Sequence, residues 1–83
     1  MSIEELKNYL SNECNKVLST SKNNNLSESD FKNYLEEPLK NFNEKYRGFK
    51  TTVDFQEKLK SEITMTMTNF TTKLTKIYIS QSF

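Results

Sequence analysis

Apolar side chains return every three or four positions in the first part of the chain. Ile3, Leu6, Leu10, Val17 and Leu18 gather on one side of a helical projection, with Tyr9 and Cys14 flanking them. Ser2 and Glu5 form an S-x-x-E capping box, so the pattern predicts a helix over residues 2–18. The periodicity stops in STSKNNNLSES, whose polar side chains bond to their own backbone and bring almost nothing to bury. Residues 19–27 therefore read as a loop.

A second helix is expected over residues 28–47. Ser27 can cap it, Asp30 takes the third helical position, and Leu26 can staple across to Phe31. Phe31, Tyr34, Leu35, Leu39, Phe42 and Tyr46 then trace one face, while Glu28–Lys32 and Glu36–Lys40 pair at four-residue spacing on the other. Pro38 interrupts this run, which allows either a kink or a restart with proline in a first turn. Gly48 supplies a residue suited to left-handed backbone just past the end.

From Phe49 onward two periods fit the same residues. A helix is satisfied by Phe55, Leu59, Ile63, Met67, Phe70, Leu74 and Ile77. It must absorb eight threonines between Thr51 and Thr75, each costing up to about 0.7 kcal/mol relative to alanine. Strands are satisfied by Phe49, Thr51, Val53 and Phe55, then Ile63, Met65 and Met67, then Thr75, Ile77 and Ile79 facing inward. Lys50, Thr52, Asp54, Thr64, Thr66 and Thr68 face out. The connections QEKLKS and NFTT carry no glycine, which weakens the hairpin signal. The threonine content penalises only the helix, so strands within 49–80 are the expectation. The fold class expected is α+β: two N-terminal amphipathic helices followed by a small antiparallel sheet of about three strands. An all-α three-helix bundle is the alternative.

Length makes 1–83 a single domain with a thin core, since a chain this short buries only about 60–65% of its unfolded surface. The formal net charge of +1 supplies no field to gather nucleic acid or an anionic membrane. MSIEELKNYL reads as neither a signal peptide nor a membrane span, which suggests a cytoplasmic protein. The sequence has no histidine, one cysteine and one glycine. A catalytic triad, a multi-thiolate zinc site and a phosphate-cradling loop are thereby excluded. No enzyme activity, cofactor or metal is expected. KYRGFK mixes cations with aromatics as a nucleic-acid contact does, but a helix end complemented by positive charge explains it equally.

The second-helix spacing Phe31, Tyr34, Leu35, Leu39, Phe42, together with FKTTVDFQEK beginning at Phe49 and Lys50, resembles the Tctex-type dynein light chains. In that comparison EITMTMTNF and KIYISQSF stand for later strands, although the 35 residues after Gly48 leave room for three strands where the family has four. The resemblance implies a non-enzymatic dimeric adaptor that captures an extended peptide by adding it to a sheet edge. Thr64, Met65, Thr66, Met67 and Thr68 are the expected edge, free of the lysine or proline that usually blocks pairing, and hence the expected partner and homodimer contact. Under the helical alternative the chain is a small bundle acting as an inhibitor or assembly subunit of the immunity type. Both readings name another protein as partner.

Overall fold

The computed structural model describes residues 1–81 and contains three helices among them: α1 (Ile3–Asn23), α2 (Glu28–Lys45) and α3 (Val53–Gln81). None of the described residues is in a strand, so the architecture is the all-α bundle and the expected sheet is absent. The strands assigned within 49–80, and with them the α+β class and strand addition to a sheet edge, are corrected. Phe49 and Lys50 lie in the α2–α3 connection, and EITMTMTNF lies inside α3. KIYISQSF runs along α3 to Gln81, its last two residues, Ser82 and Phe83, lying outside the described residues.

Helical period wins in the C-terminal half because it buries the larger side chains. Phe70 and Leu74 are sealed in the core, and Phe55, Leu59, Ile63, Met67 and Ile77 pack against it. The strand pattern would instead have turned Val53, Met65 and Ile79 inward. These three are 71%, 59% and 52% exposed. Without a glycine turn at QEKLKS or NFTT, nothing breaks the helix. Its start is fixed by Thr52, whose hydroxyl accepts the Phe55 N–H at 3.2 Å. The threonine penalty remains but is partly absorbed locally, since the Thr72 hydroxyl donates to the Thr68 carbonyl at 3.0 Å.

The same back-bonding carries α1 to Asn23, five residues past Leu18 into the segment expected as loop. Thr20 donates to the Lys16 carbonyl at 3.1 Å and the buried Ser21 to that of Val17 at 2.8 Å. Ser2 and Ser27 cap α1 and α2, accepting the N–H groups of Glu5 and Asp30. Pro38 is buried within α2, which runs through it in one piece, so no restart occurs there. Gly48 has φ +78°, the left-handed geometry that turns the chain after α2.

α1 lies between the other two helices and contacts α3 most closely, while α2 and α3 touch least. Leu6, Leu10, Cys14, Val17 and Leu18 of α1 meet Leu26, Phe42, Phe70 and Leu74 in one core. Lys7–Glu62 and Cys14–Met67 contacts set α1 parallel to α3, and the Phe31–Tyr78 stack sets α2 antiparallel to both. The molecule is rod-like, 47 × 19 × 16 Å. One end is closed by an aromatic chain running from Tyr9 through Phe42, Tyr46 and Phe49 to Phe55. At the other end the Gln81 side chain clasps the α1–α2 loop, its Oε1 accepting the Leu26 N–H at 3.0 Å and its Nε2 donating to the Leu26 carbonyl at 3.4 Å.

Candidate interaction surface

The five residues expected to form a contact edge are spread around α3. Thr64, Met65 and Thr68 are exposed, whereas Thr66 and Met67 are half-buried on the inner side. The Met67 sulfur lies 4.0 Å from the Cys14 sulfur in the α1–α3 contact. A strand would have set Thr64, Thr66 and Thr68 on one side; at about 100° per residue the helix keeps Thr64 near Thr68, turns Thr66 inward and puts Met65 outward.

A different set shares the outer side. Counting from Phe70 as the inward direction, Ser61, Met65, Thr68, Thr72, Thr75 and Ile79 lie on the opposite side of α3. All are exposed except the half-buried Thr75. Their separations are four, three, four, three and four residues, the spacing of a coiled-coil seam. Over 18 residues the seam is about 27 Å long. Its middle, Met65 to Thr72, lies in the longest uncharged run of the chain, ITMTMTNFTT, residues 63–72. Exposed helix surface ordinarily carries charge; depletion of charge with methionine present is the composition of an interface centre. Ser61 and Thr72 have no place in the strand pattern, which turns Thr75 and Ile79 inward; the four-three spacing of uncharged residues is the signal that unites all four with Met65 and Thr68.

Other candidate chemistry is accounted for structurally. Burial, with Glu13 beside it, pushes the Cys14 thiol up to about 11, so thiolate is scarce at neutral pH. The Tyr9 phenol is also raised, by loss of solvent and by its hydrogen bond to Glu13. In KYRGFK the Lys45 ammonium lies 4.4 Å from the centre of the Tyr9 ring, and Tyr46 and Phe49 belong to the aromatic chain at that end. A depression of about 590 Å³ opens beside Ser21, Asn24, Lys76 and Gln81. The negative C-terminal ends of α1 and α3 both border it, which disfavours an anion there despite Lys22 and Lys76.

Among the described residues no group of histidine, cysteine, aspartate and glutamate side chains could hold a metal ion, and no helix is long and apolar enough to cross a membrane. No protein-family model matches the chain, and no curated protein or solved structure is significantly similar to it. The chain can therefore be described by its class, a three-helix bundle with an uncharged outer seam.

Proposed function

We propose that this protein is a non-enzymatic subunit of a protein assembly, a small helical bundle that contributes a contact surface instead of chemistry. The observation carrying this reading is the uncharged run 63–72 on the longest helix, with Met65 59% exposed within it and Ile79 52% exposed further along the same side. Leaving such side chains in water forfeits roughly 1.5–3 kcal/mol for each that a partner could fully bury. The lack of histidine and the suppressed ionisation of the one thiol favour binding over catalysis. A lone unpaired cysteine fits a reducing compartment, and a cytoplasmic setting is part of the proposal.

The experiment is cross-linking of the tagged chain in its native cells, followed by mass spectrometry and sizing under native conditions. A subunit appears above the 9.8 kDa chain mass, with cross-links to protein. A free chain of that mass, linked to nothing including its own copies, would remove the proposal. A Lys40→Glu variant on the exposed side of α2 should leave the assembly unchanged, whereas Thr68→Glu in the seam should disrupt it.

A further inference from the structure

Resting on that subunit reading, we infer that the seam of α3 is occupied by a second copy of the same chain, running antiparallel about a two-fold axis near Asn69. Charge order along the helix specifies both the occupant and the direction. Glu62, Asn69 and Lys76 follow one another at seven-residue spacing along one flank of the seam. In an antiparallel pair like flanks meet. Glu62 of each copy then comes alongside Lys76 of the other, and the two Asn69 amides meet at the axis, where each can donate to and accept from its counterpart. The seam residues form layers of Met65 with Thr75, Thr68 with Thr72 and Ser61 with Ile79, none of them charged. The other flank sets Thr71 against Thr71 beside the axis and Thr64 against Tyr78, and Glu57 has no residue opposite it. A parallel pair would instead bring Glu57 against Glu62 at one end and leave Lys76 beside Thr71. Opposite charge thus meets only in the antiparallel arrangement, and no like-charge contact accompanies it.

The rod-like outline leaves area enough for a partner. The chain exposes 5889 Å². A compact monomer of 9.8 kDa would expose about 5200 Å² by mass scaling. The excess of about 700 Å² is close to the ~800 Å² that each partner contributes to a stable interface. Side-by-side pairing of two rods along their long helices removes that excess without elongating the particle further.

Two measurements on the intact chain test the inference. Light scattering at micromolar concentration should give twice the 9.8 kDa chain mass. Thr68→Glu, which puts two carboxylates beside the axis, should give the monomer mass with unchanged helical circular dichroism, and so should Thr68→Lys. An equimolar mixture of the two variants should recover the dimer. Carbodiimide, which joins a carboxylate to an amine without a spacer, should link Glu62 to Lys76. These residues are about 21 Å apart within one straight helix, so that link can only form between copies. The Lys7–Glu62 pair, 3.4 Å apart within one chain, is the internal control. A wild-type monomer, or a dimer giving the control link and no Glu62–Lys76 link, overturns the inference. Cross-links to a different protein with no self-link would leave the subunit reading standing and discard the second copy alone.

Discussion

Replacing Phe70 with alanine separates the helical and strand arrangements of the C-terminal half by energy. Phe70 is 2% exposed, in the core with Leu10, Cys14 and Leu74. Removing its ring forfeits roughly 1.5–3 kcal/mol of transfer free energy, and a partly collapsed cavity adds about 1–2 kcal/mol at ~24 cal/mol per Å³. The expected loss of ~3–5 kcal/mol compares with a total stability of roughly 4–12 kcal/mol for a chain of this length. At about 4–8 °C per kcal/mol, the melting temperature should fall by at least ~12 °C. Met65→Ala is the matched control: its side chain points to solvent, and the cost should stay within about 0.5 kcal/mol. Both are measured by urea unfolding followed by circular dichroism, in the Thr68→Glu background so that association does not enter. In a sheet, Phe70 would sit in the NFTT connection and Met65 would face inward. A Phe70→Ala cost below about 1 kcal/mol, together with a larger one for Met65→Ala, would refute the packing described here.

Stability should also depend on alkaline pH through Cys14. Burial holds the folded thiol near 11 against an ordinary 9.0, so its contribution is fully present below pH 9 and is lost as pH rises toward 11, a loss of at most about 2 kcal/mol. Cys14→Ala should flatten that part of the wild-type profile in parallel urea titrations, and equal slopes would contradict the burial argument. Gln81→Ala removes both hydrogen bonds to Leu26, so the bundle should lose on the order of 1–2 kcal/mol and the Leu26 amide should exchange faster with solvent. An unchanged exchange rate there would show that the clasp does not hold the loop.

Local signals were legible in the sequence where one physical effect dominated. The serines before α1 and α2 cap them because their hydroxyls accept the otherwise unpaired N–H groups of Glu5 and Asp30, and Gly48 is the one residue free to take φ +78° without strain. α1 outran its expected end because Thr20 and Ser21 returned their hydroxyls to the helix, a choice that propensity alone leaves open. α3 was misjudged for a more instructive reason. Met65 and Ile79 satisfied the alternation of a strand, and they did so because they form part of a second, outward side of the helix. A segment with one apolar side has one period; a segment with two half-apolar sides has an ambiguous one. Burial of Phe70 and Leu74 against α1 settled the matter, and that is a tertiary effect. The seam was invisible to a strand reading because its members alternate irregularly under a period of two.

The most direct measurement is the set of backbone carbon chemical shifts across residues 53–81. One uninterrupted helix gives displaced Cα shifts of a single helical sign from Val53 to Gln81, through all the threonines between Thr64 and Thr75, whether or not copies associate. Shifts of the extended sign at Ile63–Met67 and again at Thr75–Ile79, separated by a turn near Phe70, would restore the sheet and remove the outer seam.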